Sequence, residues 1–172
     1  MQPFPRRLYA NFSDFWDDIR FIFSDRPLMR RTMRGELISI QFRERLMLMV
    51  TDVNGCRYCS YFHTREALRS GISEEDLKAL LKGSIPDDTP DEEIPALLYA
   101  QHWAESNARP DPAAYQKIVE TYGEERAAAI HIVLRMIRIG NLTGNLLDYI
   151  LYRVSFGHLG LEKEQTEPEF RL

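Results

Sequence analysis

The amino-acid sequence predicts an all-α fold. Apolar residues recur at three- and four-residue steps, as in Phe12, Phe15, Trp16, Ile19, Ile22 and Phe23, and so line one side of a helix. Stop and start signals, Asn54-Gly55, Ser70-Gly71 and Asp111-Pro112, cut the chain into helix-sized pieces. No run of Val, Ile and Thr alternates strictly with polar residues, which is what a half-buried strand requires.

Each element follows from local chemistry. The first helix carries the aromatic stripe, with Asp14, Asp17, Asp18 and Arg20 lying off it. Its polar side is acidic and anionic lipid would repel it, so the stripe is expected to pack on the core or on a sister subunit. Residues 1–35 thus read as an aromatic, amphipathic helical extension. Gly35 precedes a long apolar helix from about Glu36 to Val53, closed by Asn54-Gly55. A cysteine-bearing helix then runs from about Cys56 to Arg69. Ser73 and Asp76 have capping-box spacing and open a short helix that closes at Gly83. Ser84–Pro90 is a loop. A helix from about Glu92 to Ser106 tolerates Pro95 only in its first turn. Asp111-Pro112 caps a helix ending near Gly123, and Glu124–Val154 is a long helical tract expected to bend or break at Gly140 and Gly144. Residues 161–172 form a charged tail.

Bulk composition narrows the function. Hydrophobic residues at 44% and charged residues at 28% of a 172-residue chain fit one domain with a substantial core. A net charge of −4 argues against a phosphate backbone as partner. Arg30, Arg31 and Arg34, the one tight basic cluster, read as a solvated or ion-paired face. The most apolar tract, Ala127–Ile139, carries His131, Arg135 and Arg138 and falls short of the roughly 20 apolar residues that span a bilayer. No apolar signal-peptide region is visible near the start, so a cytoplasmic, reducing setting is expected.

In that setting the two cysteines are the informative residues. Both lie in Gly55-Cys56-Arg57-Tyr58-Cys59-Ser60-Tyr61-Phe62-His63. Thiols at this spacing can close into a disulfide ring or hold a soft metal. A helix start favours an anion and hence a thiolate. Cys59 and His63 are four apart and share a face, so His63 can take the thiol proton. Glu44 lies on the helical face of Ile40, Met47, Leu48 and Thr51, where burial is expected to raise its pKa. An antiparallel return through Asn54-Gly55 brings Glu44 and His63 alongside, giving a candidate relay Glu44–His63–Cys59. Alternatively, Arg43, Arg45 or Arg57 pairs with Glu44. Tyr58 and Tyr61 read as packing, His102, His131 and His158 as structural, and Met47 and Met49 as core.

The run Glu44, Cys56-x-x-Cys59-x-x-x-His63, Gly71-Ile72-Ser73 resembles the AhpD-like, carboxymuconolactone decarboxylase superfamily, most closely over Glu36–Gly83 and more loosely from Ala96 to Gly160. The Asn141/Asn145 pair is similar to that family's later portion. The resemblance implies an AhpD-like core over 36–160, with about six to eight helices in all, assembled as a homotrimer or homohexamer. It implies reduction of a hydroperoxide by a cysteine-dependent peroxidase, with Cys59 partnered by His63, Cys56 as its disulfide partner, and Glu44–His63 as proton relay. No bound cofactor or metal is implied; a lipoyl-bearing or thioredoxin-like protein would supply electrons. Alkylhydroperoxidases of the family carry histidine immediately before the second cysteine, where this chain has Tyr58, a possible accessory residue. The lactone-decarboxylating branch lacks the cysteine pair.

Two other readings compete with this thiol-disulfide oxidoreductase. One is a metal-binding module in which Cys56, Cys59 and His63 are ligands, with Glu44 or a partner residue as the fourth. The other is a non-redox lyase or structural oligomer that keeps the fold.

Overall fold

A computed structural model describes residues 3–161, in which seven helices and no strand are found. In chain order they are α1 (Phe12–Ser24), α2 (Arg26–Met33), α3 (Ile40–Asn54), α4 (Arg57–Arg69), α5 (Glu74–Leu80), α6 (Ile94–Glu105) and α7 (Pro112–Val154). The fold is all-α. Except for Leu161, the expected charged tail lies outside the described residues.

α3 is the central element. Every residue from Glu44 to Thr51 is buried, so the helix is enclosed on all sides by α4, α6 and α7. Phe42, Leu46, Leu48, Met49, Leu77, Leu80, Leu97, Trp103, Ile130 and Leu134 form the main core around it. No described helix is long and apolar enough to cross a membrane.

Local signals set most boundaries. Ser73 Oγ accepts the Asp76 N–H at 3.0 Å and starts α5; Asp111 Oδ1 accepts the Ala113 N–H at 2.9 Å and starts α7. Pro95 sits in the first turn of α6. α3 begins later than Gly35 suggests, at Ile40, because Ser39 Oγ takes the Phe42 N–H at 3.0 Å. α2 was not legible as a separate helix; Asp25 ends α1 and caps α2 through the Leu28 N–H at 2.9 Å. α7 breaks where expected, at Gly123 (φ 75°, ψ 162°), yet stays helical through Gly140 and Gly144. Those glycines serve close packing instead.

The first helix departs from expectation at Asp18, which reads from the sequence as part of the solvated acidic side. Its buried residues are Asp18 and Ile22, whereas Phe12 and Trp16 are exposed at 73% and 46%. Asp18 faces α7, where Arg135 donates to it at 2.5 Å and Arg138 at 2.6 Å, and the Tyr9 hydroxyl donates at 2.8 Å. Two arginines three apart on α7 turn an apparently solvated carboxylate inward.

Candidate active site

The site is built at the α3–α4 turn and backed by α7. Gly55 adopts the left-handed conformation (φ 70°, ψ 35°) and returns its N–H to the Thr51 carbonyl at 2.8 Å, closing α3. Cys56 is the N-cap of α4, with extended backbone (φ −87°, ψ 107°). It makes no regular side-chain cap, yet the N–H groups of Cys59 and Tyr58 favour its sulfur as the anion.

Both cysteines are free thiols. Cys56 is fully buried and Cys59 is half-buried. The Cys59 thiol donates to the Cys56 sulfur, so the two lie within sulfur hydrogen-bonding distance. That donated hydrogen bond, aided by the backbone N–H groups, brings the Cys56 pKa down to about 7 against the pull of burial and of Asp148. Cys59, as donor in a buried setting, is pushed up. The two sulfurs therefore share one proton and titrate as a unit, a link that sequence spacing did not draw.

Glu44 and His63 meet as the antiparallel return suggests. His63 Nδ1 lies 2.7 Å from Glu44 Oε2. Arg43 donates through Nε at 3.0 Å and Nη2 at 2.8 Å to the other oxygen, and its Nη1 reaches the Met33 carbonyl at 2.6 Å. Burial alone would raise the Glu44 pKa, as expected from its apolar face. The hydrogen bonds and charges of His63 and Arg43 outweigh burial and hold it below the usual carboxylate range. This corrects the expectation of a carboxyl poised near neutrality: Glu44 is a fixed anion. An anionic carboxylate only accepts, so Nδ1 carries a proton and Nε2 is the nitrogen left to exchange one.

The second link of the relay is not a direct hydrogen bond among the described residues. Cys59 is partnered by Cys56 and Asn141 instead. Arg45 and Arg57, the other candidates for Glu44, are engaged elsewhere: Arg45 with Glu93 at 2.9 Å, and Arg57 with Asp148 at 2.8 Å. Nor do the alternative metal ligands converge, for among the described residues no three His, Cys, Asp or Glu side chains form a ligand set. Tyr58 donates its hydroxyl to the fully buried Asp148 at 2.8 Å and accepts from Arg57 at 2.9 Å. Arg6, from the N-terminal segment, also binds Asp148. Tyr58 therefore ties the first turn of α4 to α7, and its hydroxyl proton is committed there.

α7 supplies the residues that spacing arguments missed. A Cβ at Gly144 would lie 2.8 Å from the Cys56 sulfur, and one at Gly140 would lie 3.4 Å from that of Cys59. Each glycine is followed by a fully buried asparagine. Asn141 Nδ2 donates to Thr51 Oγ1 at 3.0 Å, and its Oδ1 accepts from Asn54 Nδ2 at 3.1 Å. Asn145 Nδ2 donates to the carbonyls of Asn54 at 2.8 Å and Arg7 at 2.9 Å. The repeated Gly-Asn pair at four-residue spacing is the signal that would have found this floor.

Comparison with known proteins agrees with this geometry. Residues 29–105 match the family model of the Carboxymuconolactone decarboxylase family. The uncharacterized protein YdfG of Bacillus subtilis (strain 168) is 27% identical over 115 residues, 66% of this chain and 78% of that protein. A crystal structure of the debrominase Bmp8, a cysteine-to-alanine variant in complex with 2,3,4-tribromopyrrole, has a TM-score of 0.58 and 14% identity. It covers 86% of this chain and 89% of its own, a likeness of fold. The segment that carries Glu44, both cysteines and His63 thus lies within the stretch that matches the carboxymuconolactone decarboxylase family model.

Proposed function

We propose that the protein is a thiol-disulfide oxidoreductase that reduces hydroperoxides with Cys56 and Cys59. The observation that carries this reading is a hydrogen-bonded pair of free thiols at a helix start, one in a buried residue and one in a partly exposed residue. The electron flow is explicit. Cys59 passes its proton to the Cys56 thiolate, and the Cys59 thiolate attacks the terminal peroxide oxygen. The O–O bond breaks, Cys59 becomes a sulfenic acid, and the alkoxide takes the proton back from Cys56 to leave as alcohol. The Cys56 thiolate then attacks the Cys59 sulfur and expels hydroxide, which takes a proton and leaves as water. Two thiols are oxidised to one disulfide and the peroxide is reduced by two electrons.

His63, oriented by Glu44, is the base that exchanges these protons with solvent. A lipoyl-bearing or thioredoxin-like dithiol protein in a cytoplasmic, reducing setting would reset the pair. The exposed apolar residues Leu146, Leu147, Ile150 and Val154 on α7, with Phe12 and Trp16 on α1, support assembly as a homotrimer or homohexamer.

A second oxidant fits the same two electrons. The exposed Tyr61 and Phe62, the latter edge-on to His63 at 5.1 Å, favour an aromatic guest. Reductive removal of bromine from a brominated ring, yielding bromide, the hydrogen-bearing ring and the disulfide, is the chemistry that the debrominase's name suggests. The test is consumption of an organic hydroperoxide with a dithiol present, in wild type and in Cys59→Ser, with a brominated pyrrole assayed in parallel. Peroxide loss that depends on Cys59 is expected. Equal slow loss in both proteins removes the peroxidase reading, and Cys59-dependent bromide release without peroxide loss replaces it with the second.

A further inference from the structure

The resting structure leaves a chemical question open. The two thiols share one proton, and Cys56 is fully buried whereas Cys59 is a partly exposed residue. Attack by Cys59 requires the charge to move across the S–H···S hydrogen bond, and something must hold it there while substrate is present. Among the described residues the titrating group that acts on Cys59 is Cys56, whose own negative charge disfavours a second anion beside it. The neutral group bonded to Cys59 is Asn141.

We propose that Asn141 positions the attacking charge: its carboxamide N–H holds the Cys59 sulfur as the anion, and the Thr51–Asn54 pair keeps that N–H aimed at it. The geometry on α7 supports this. Asn141 is 0% exposed, so its carboxamide cannot exchange sulfur for water as partner. Asn54 Nδ2 donates to Asn141 Oδ1, which turns the oxygen away from the thiols, and Thr51 takes one of the two N–H groups of Nδ2. The other serves the sulfur. Gly140, one residue earlier, admits the sulfur to within 3.4 Å of where a Cβ would stand, so α7 lies close enough for the carboxamide to reach. An amide donor keeps its N–H at every working pH and so stabilises thiolate over thiol without gaining or losing a proton itself.

This assignment rests on the proposed thiol chemistry and deepens it. Its test uses no peroxide, so that either can fail alone. Reduced full-length protein is alkylated with iodoacetamide across a range of pH, and mass mapping of peptides reports Cys56 and Cys59 separately. Asn141→Asp keeps the shape and the acceptor, removes the N–H and, where ionised, adds a like charge that acts in the same direction. Its Cys59 alkylation at pH 7 is expected to fall about tenfold, the order of one hydrogen bond to a charged group, with its pH midpoint moving up. Thr51→Val leaves the donor but removes its anchor, and a smaller shift in the same direction is expected. An unchanged Cys59 profile in either folded variant overturns the assignment, as does an equal slowing of both cysteines. Should Asn141→Asp fail to fold, the Thr51→Val profile decides alone. A Cys59 shift together with absent peroxide turnover keeps Asn141 and removes the peroxidase reading.

Discussion

Two alanine substitutions four residues apart on α7 separate close packing from helix propensity. Gly140→Ala and Gly144→Ala both replace a helical glycine, so each gains the same helix-propensity term of about 1 kcal/mol. That term cancels between them and leaves sterics. At Gly140 the new methyl meets the Cys59 sulfur at 3.4 Å, close to ordinary contact. At Gly144 it meets the Cys56 sulfur at 2.8 Å and the Tyr58 ring at 3.3 Å. Cys56 is fully buried and held by the α4 start, so its short side chain escapes only by leaving Cys59. Overpacking of this kind costs about 1–3 kcal/mol. Gly144→Ala should therefore be less stable than Gly140→Ala by about 1–3 kcal/mol, or about 2–9 °C in Tm for a chain of this size. Urea unfolding with excess dithiothreitol keeps both proteins in the dithiol state and makes the comparison fair. Gly144→Ala should also shift the Cys56–Cys59 disulfide equilibrium in graded redox buffers, whereas Gly140→Ala should shift it less. A Gly144→Ala protein as stable as Gly140→Ala would refute the claim that α7 packs flush on the sulfurs.

Two further outcomes follow from titrating groups. Glu44→Gln leaves Arg43 and His63 facing a neutral amide and should cost about 1–3 kcal/mol at pH 7. Because the folded Glu44 carboxyl lies below its usual range, its contribution is complete above the unfolded value of about 4.3 and is lost as pH falls through the folded one. Wild-type and variant urea midpoints should accordingly converge in acid; a constant gap from pH 7 to pH 3 contradicts the assignment. His131, bonded to the Tyr99 hydroxyl at 2.8 Å, is brought from 6.5 down to about 4 by burial and by Arg135. The unfolded chain binds that proton first, so stability is complete above about pH 6.5 and falls by up to about 3 kcal/mol toward pH 4. His131→Gln should flatten this slope, which urea titrations at both ends of the window measure; an unchanged slope places its source elsewhere.

What the sequence disclosed was whatever short-range chemistry decides. The glycine that closes α3, the Ser73 and Asp111 caps and the break at Gly123 each depend on residues within a turn or two, and each was legible. The spacing of Cys56, Cys59 and His63 on one helix was likewise local, and the return through Gly55 made the Glu44 contact a geometric inference. Partners from distant elements were not legible. Asp18 is separated from Arg135 by 117 positions, so nothing near it signals that it turns inward. The Glu44 pKa shifts in the opposite direction to the expected one because His63 of α4 and the adjacent Arg43 together outweigh burial, and helical periodicity does not reveal that. Gly140 and Gly144 read as helix breakers until α4 is known to lie against them. In each case the deciding term was a contact with an element far away in sequence, or a competition between burial and charge whose winner depends on distances of 2.7–3.0 Å.

α7 ties these observations together. Up to Ile137 its inward residues are hydrocarbon apart from His131, as in Ile130, Val133 and Leu134. Beyond that point Arg138, Asn141, Asn145, Asp148 and Tyr152 continue the same three- and four-residue steps, all buried. A hydrophobic seam thus becomes polar without leaving the core. Packed apolar residues would have been as stable or more so, since burying ions and amides costs desolvation that their bonds only offset. The polar half of the seam therefore needs a reason other than stability, and each of its four ions and amides has a distinct partner. Arg138 holds Asp18 of α1, Asn141 holds Cys59, Asn145 holds the Asn54 carbonyl just before the thiol turn, and Asp148 holds Arg57 and Tyr58. Apolar contacts tolerate sliding, whereas directional bonds at successive turns fix one register between helices. Three of these four partners lie at or beside the cysteine turn, so that register sets the position of the sulfurs.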